Sequence, residues 1–392
     1  MFRCPECDAT YVEVVEKCVE CGYEVEIEKI RNNVFLPIAA KTTHFGKDEN
    51  GKLVSNIGRL WNLENEVSND FINKIELKFR RKNKFHNFLT KNDTPLSIPV
   101  MLKKYIKNEM DFDKIVQAII SKFKREIQDD GRKLSKSSEN NIIFIHYKTV
   151  ADEGDLGRLL IVMLDKKSGF DFEKVVLTPK KLSPIDTDAL RQAAMFDLTL
   201  FDTTYPENDS ESYVKFILGK STSDFFKDAL GCQKEVDNKK SVNEIFRALY
   251  DFARDKELSI PIRDKIDEAI KELLDKKSKD KNDKSIKLRD IHKKIDSYIP
   301  DEHAAKGQFA VYVNEKEYEI DDVFEPTNRS ATNASSIKLV DKNNNFSCLV
   351  RKNAIGSESS GKPVKLDREN RCLILPLADN YFDELDKIVP KE

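Results

Sequence analysis

The sequence predicts an α+β protein: an N-terminal four-cysteine zinc ribbon, a mixed-sheet α/β domain, a helical segment and a C-terminal strand-rich part. Three observations predict it. Four of the seven cysteines are paired within the first 21 residues, while Cys232, Cys348 and Cys372 stand alone. Continuous apolar runs of strand length, Ile142–Ile145 and Leu159–Leu164, follow helix-period segments. Beyond residue 301 short strand-length runs return. The 392 residues exceed the need of one core at roughly 150 residues per domain. The expected boundaries are 1–26 for the ribbon, 27–218 for the α/β domain, 219–300 for the helices and 301–392 for the β-rich end.

The ribbon rests on Cys4-Pro-Glu-Cys7 and Cys18-Val-Glu-Cys21, ten residues apart. Each Cys-x2-Cys turn aims two thiolates at one point, and the spacer is long enough for a hairpin that brings the turns together. Four thiolates suit tetrahedral Zn²⁺ and leave no open position. One structural zinc per chain, held by Cys4, Cys7, Cys18 and Cys21, is therefore expected. Gly22 permits positive φ just after the second turn. Free thiols and an iron–sulfur cluster are the rival readings. Residues 1–30 carry three basic against eight acidic side chains, so the ribbon suits protein docking or stabilisation better than gripping phosphate.

Residues 27–60 read as short strands, with a turn at Asp48–Gly51. A helix is expected from about Asn69, with Phe71, Ile72, Ile75 and Phe79 on one face. A stronger one carries Phe112, Ile115, Val116, Ile119, Ile120, Phe123 and Ile127 behind Asp111 as cap. Strands follow through Val175–Leu177, the alternating stretch Ala194–Leu200 and Tyr213–Leu218. Helices then take over: Ser223–Leu230 ending at Gly231, a second lined by Val242, Ile245, Phe246, Leu249 and Phe252, a third with Pro261 in its first turn, and a fourth from near Ser285. Lys276–Lys284 has no apolar face and reads as a solvated loop. Strands are expected at Phe309–Val313, Ile337–Val340, Phe346–Val350, Val364–Leu366 and Cys372–Leu375, and a last helix at Asn380–Ile388.

Catalytic patterns are missing. Gly219-Lys-Ser-Thr222 resembles the end of a phosphate-binding loop, but Val214 stands where the motif needs glycine. The five histidines are scattered, and His146, in an apolar strand, reads as a satisfied core residue. The expectation is a non-enzymatic protein, with nuclease activity left open. No run of about 18 apolar residues occurs and the N-terminus lacks an apolar signal core, so a cytoplasmic protein without membrane contact is expected.

Tyr213-Val-Lys-Phe-Ile-Leu-Gly-Lys220, followed by Asp224-Phe-Phe-Lys-Asp-Ala-Leu-Gly231, resembles the central signature of bacterial nucleoid-associated proteins of the YejK/NdpA type. Ala248–Phe252, Ile143–Tyr147 and Asn328-Arg-Ser330 extend the resemblance over residues 27–392. The loop before Asp-Phe-Phe is shorter here, and the zinc ribbon is an addition to typical members. The resemblance implies nucleoid location, DNA association and a type II topoisomerase as partner.

Charge distribution agrees with DNA as partner. The chain has 67 Lys+Arg against 69 Asp+Glu, which excludes uniformly basic, histone-like binding. Yet residues 74–125 hold fourteen basic and five acidic residues, a local surplus of nine. Its densest part, Lys78, Arg80, Arg81, Lys82 and Lys84, is the expected DNA-binding site, phosphate-dominated and weakly sequence-selective. A solvated helix end is the alternative for that stretch. Residues 271–294 hold a second surplus, ten basic against five acidic. Its loop at 276–284 is expected to matter less than the Lys78–Lys84 stretch, because Asp275, Asp280 and Asp283 mix among its lysines and a mobile loop loses entropy on binding. The rival function is a protein-interaction adaptor of a mobile-element or defence system, its ribbon recruiting a partner. A homodimer is compatible with apolar strands at both ends.

Overall fold

The computed structural model describes residues 2–3, 10–11, 35–47, 53–129, 140–149, 154–165, 170–172, 179–181, 190–217, 225–233, 238–341, 343 and 345–389. The chain divides into two compact units, Met1–Val236 and Asp237–Glu392. The elements of the first are β1 (Phe35–Lys47), β2 (Leu53–Leu60), α1 (Glu66–Arg81), β3 (Phe85–Asn87), α2 (Ile98–Ile106), α3 (Phe112–Asp129), β4 (Asn140–Thr149), β5 (Arg158–Asp165), β6 (Leu190–Asp197), α4 (Leu198–Thr204), β7 (Val214–Ile217) and α5 (Phe225–Ala229). Seven strands form one sheet in the order β2-β1-β4-β5-β6-β7-β3. Every pairing in it is antiparallel, which corrects the expected mixed sheet. Apolar runs without alternation mark strands covered on both faces. They do not encode strand direction, and here helices cover an antiparallel sheet.

The period of two sorts β4 and β5 between two cores. Ile142, Phe144, Leu159, Ile161 and Met163 face α2–α5, where Met101, Ile115, Ile119, Phe123, Phe201 and Phe226 are buried. Ile143, Ile145, Tyr147, Leu160 and Val162 face α1, through Phe71, Ile72, Ile75 and Phe79. Each such fully buried side chain contributes about 1.5–3 kcal/mol. Helix α1 starts earlier than Asn69 because the Asn65 side chain accepts from the Val67 amide at 2.9 Å. Asp111 caps α3 as expected, accepting from Lys114 N at 2.8 Å. Asp197 ends β6 and caps α4, accepting from Leu200 N at 3.0 Å, so the alternating run Ala194–Leu200 is half strand and half helix. His146 is satisfied in the core: Tyr105 Oη lies 2.6 Å from Nδ1 and Leu156 O lies 3.0 Å from Nε2. Burial holds its pKa below the usual histidine range.

The second unit comprises α6 (Asn238–Asp255), α7 (Ile260–Lys279), β8 (Ile286–Lys287), α8 (Leu288–Asp296), α9 (Phe309–Glu315), β9 (Val323–Phe324), α10 (Asn328–Ala334), β10 (Ser336–Val340), β11 (Ser347–Arg351), β12 (Ile355–Gly356), β13 (Val364–Asp367), β14 (Cys372–Ile374) and α11 (Asp379–Ile388). One core runs from Val242 to Ala334 and joins α6 to α10. The expected strand Phe309–Val313 is the helix α9. Its valines suggested β structure, but Phe309, Tyr312 and Val313 fall at helical spacing and all three are buried in that core. Asn328–Ser330 opens α10, where Thr327 and Ser330 form a reciprocal capping box.

The structure also changes Lys276–Lys284. Helix α7 continues through Lys279, and the turn beyond it is tied down. Asp280 Oδ1 accepts from Asn282 N and Asp283 N at 2.9 and 3.2 Å, and Asp283 Oδ1 accepts from Ser285 N and Oγ at 3.0 and 2.6 Å. Lys277 Nζ donates to Asp283 Oδ2 at 3.1 Å. The Ser285 hydroxyl and Lys277 lower the Asp283 pKa to about 2. The acidic residues that dilute the lysines in sequence are the ones that shape the turn.

Candidate nucleic-acid interface

The expected contact stretch caps the end of α1, and much of it faces the protein. Arg80 approaches Glu76 at 3.3 Å, with side chains 18 % and 4 % exposed, and its guanidinium stands 5.0 Å from the centre of the Phe35 ring. Lys84 is buried. Its Nζ donates to the carbonyls of Arg80 and Lys82 at 2.7 and 2.8 Å, 5.4 Å from the Phe79 ring centre. A cation on those carbonyls satisfies the negative end of the helix dipole. Lys78 and Lys82 are half-buried, and only Arg81 of the five is exposed.

Tertiary structure also divides the surplus found in residues 74–125. Helix α1 lies on one face of the sheet, α2 and α3 on the other, so their charges do not form one patch. On the α3 side Lys107, Lys114 and Arg125 are exposed. Lys114 pairs with Asp111 at 3.2 Å, and Lys41, buried in β1, reaches Asp113 at 2.7 Å. Burial, then the neighbouring Arg125, lowers the Lys122 pKa. A cleft of about 150 Å³ opens beside these two residues, but Glu126 and Asp228 line it as well, so its charges cancel.

In the second unit more of the basic residues are exposed, interspersed with the exposed acids Glu272, Asp283 and Asp290. Of the ten basic residues in 271–294, Lys276, Lys279, Lys281, Lys284, Lys287, Arg289 and Lys293 are exposed. They sit on the end of α7, the stapled turn, β8 and α8, so their backbone positions are held before any ligand arrives. Sequence reasoning took Lys276–Lys284 as a loop, whereas the helix runs through Lys279. The readable sign was Asp280-x-x-Asp283-x-Ser285, a spacing at which short polar side chains bond the backbone two and three residues on.

Cys4, Cys7, Cys18 and Cys21 lie outside the described residues, as does Gly219–Thr222. The strand residues Phe2–Arg3 pair antiparallel with Thr10–Tyr11, which places a two-stranded ladder around the first cysteine pair in sequence. Cys232 is buried, which pushes its thiol pKa far up and keeps it unreactive. Among the described residues no group of His, Cys, Asp and Glu is arranged to hold a metal ion, and no helix is long and apolar enough to cross a membrane.

Comparison with known proteins points in one direction. A nucleoid-associated protein of Pseudomonas putida is 25 % identical over 158 residues, 40 % of this chain and 44 % of its own length. One from Pseudomonas aeruginosa is 23 % identical over 204 residues, 50 % of this chain and 55 % of its own. A third, from Metapseudomonas resinovorans, is 24 % identical over 161 residues. The chain thus spans about half the length of the curated relatives it matches. The family model described as nucleoid-associated protein YejK matches residues 46–376, both units and most of the chain, and the chain belongs to that family.

Proposed function

We propose that this chain is a nucleoid-located, non-enzymatic protein that holds duplex DNA through its phosphates with weak sequence selectivity. The observation that carries the reading is the fixed row of exposed cations from Lys276 to Lys293, in a member of a family named for nucleoid association. Lysines projecting from a preformed helix–turn–helix-end surface can neutralise phosphates without ordering a loop first, and they carry no base-reading geometry. In the Lys78–Lys84 stretch, Arg81, which is exposed, and Lys82, which is half-buried, are the contributors in this reading, whereas Lys84 is buried on helix carbonyls. Gel shifts with random-sequence duplex at graded salt test it. Affinity should fall linearly with salt on logarithmic axes, and absence of any shift at low salt would leave the protein-docking adaptor as the function.

Cys4, Cys7, Cys18 and Cys21 hold one structural zinc in this proposal. The donor set is complete, and the strand pair flanking Cys4 and Cys7 supports a knuckle carried on a hairpin. Protein purified without chelator should contain one zinc per chain. Retention of a full zinc by a Cys4→Ser/Cys7→Ser variant would refute the assignment. A homodimer and a type II topoisomerase are the protein partners proposed, the latter from the family resemblance alone and testable by co-purification with the purified enzyme.

A further inference from the structure

Hydrophobic packing in the second unit stops short of its end. The core that joins α6 to α10 runs from Val242 to Ala334. Among the described residues beyond Ser335 only Ser336, Val350 and Val364 are buried, and neither valine belongs to that core. Helix α11 buries none of its ten residues. The stretch from Ser336 to Ile388 thus gains little from the apolar burial that holds the helices together. Cations join it to them instead. Lys362 Nζ pairs with the Asp264 carboxylate on α7 and donates to the Asn353 carbonyl at 2.8 Å. Arg351 stands 3.9 Å from Glu268, one turn further along α7. Lys352 Nζ donates to the Ala334 carbonyl at the end of α10, at 2.9 Å, and lies 5.7 Å from the centre of the Tyr250 ring on α6.

Asp264, Asp267 and Glu268 share one face of α7 at helical spacing. Asp267 is buried, and its Oδ1 accepts from Tyr250 Oη at 3.0 Å. Burial raises the Asp267 pKa and lowers that of Lys352, so these two charges are held at a desolvation cost. We propose that Ser336–Ile388 is a strap, latched to the helices by Arg351, Lys352 and Lys362, which opens as one unit while the α6–α10 core stays folded. Opening returns charges to water and uncovers little apolar surface, so it costs far less than global unfolding. Salt favours the open state. The Arg351 and Glu268 side chains are 39 % and 58 % exposed and are screened readily. Lys362 and Asp264, 17 % and 22 % exposed, are the firmer pair. The device lies within the second unit and does not depend on DNA binding.

Hydrogen exchange of the full chain without DNA, read by mass spectrometry, tests the strap. It is measured at about 0.1 M and about 1 M NaCl, between which the Debye length falls from about 10 to about 3 Å. Amides of β10–β14 should be protected at the lower salt and exchange about 5-fold or more faster at the higher, with α6–α10 unchanged. Asp264→Asn and Lys362→Gln should each give a similar acceleration at the lower salt. The double variant should fall well short of the product of the two effects, because both substitutions break one pair. All three should keep the wild-type circular dichroism spectrum, since neither side chain belongs to the core. Strands unprotected in wild type at the lower salt, or indifferent to salt, would show that no ionic latch closes. Equal protection in wild type and both single variants would overturn the Lys362–Asp264 pair as its fastening. Acceleration of α6–α10 in step with the strands would make the unit one cooperative body and overturn the strap.

Discussion

Replacing Lys279, Lys281 and Lys284 with Ala should flatten the salt dependence of DNA binding while leaving the fold intact. The turn that presents these residues is held by Asp280, Asp283, Ser285, Asn282 and Lys277, none of which changes. Each phosphate contact contributes about 0.9 to the slope of log affinity against log salt on duplex DNA, so losing three lowers it by about 2.7. Between 50 and 200 mM salt the ratio of wild-type to variant affinity should therefore shrink about 40-fold, largely regardless of sequence. Fluorescence anisotropy on a random duplex measures both slopes. A companion variant, Arg81→Ala/Lys82→Ala, should lower the slope by up to about 1.8 if the end of α1 also touches DNA. Comparing the two ranks the rows. Equal slope and affinity in the triple variant, with an unchanged circular dichroism spectrum, would show that the row from Lys276 to Lys293 is not the DNA surface.

Other outcomes follow from single contacts. Arg80→Ala leaves the Glu76 carboxylate, 4 % exposed, without its guanidinium, and urea denaturation should show a loss of about 3 kcal/mol. A loss under about 1 kcal/mol would contradict a structural role for the pair. Gly157 has φ +90, and a Cβ there would come within 2.6 Å of Tyr147 O and 2.7 Å of His146 Nε2. Gly157→Ala should cost roughly 2 kcal/mol or more, and a neutral effect would mean the backbone relaxes there freely. His146 is buried with its pKa held below the ordinary histidine value of 6.5, so the unfolded chain binds its proton first as pH falls. Its contribution is present in full above pH 6.5 and is lost as pH drops from there toward the folded pKa. Denaturation at pH 7.5 and 5.5 should show a destabilisation that shrinks in His146→Gln, and an equal pH dependence in both proteins would assign the effect to other groups.

Much of the fold was legible because it rests on local periodicity and capping. Phe112 to Phe123 and Val242 to Ala253 repeat at helical spacing, and both segments are helices with those residues buried. Ile142–Ile145 and Leu159–Leu164 are the two-sided central strands that uninterrupted apolar runs imply. His146 reads as a core residue from its neighbours alone, and the family resemblance carried by Tyr213–Gly231 stands on residues contiguous in sequence. The cysteine spacing likewise needs no fold to suggest its chemistry. Strand direction was not legible, since pairing is a long-range choice that an apolar run does not record, nor was the helical state of Phe309–Glu315, whose valines favour strands until the core of α6 and α8 claims one face. The charges were the least legible of all. Fourteen basic residues close in sequence looked like one surface, but the sheet passes between them, and Arg80 and Lys84 turn inward to a carboxylate and to helix carbonyls. A side chain's charge is written in the sequence, whereas its availability depends on which partners folding brings within about 3 Å of it.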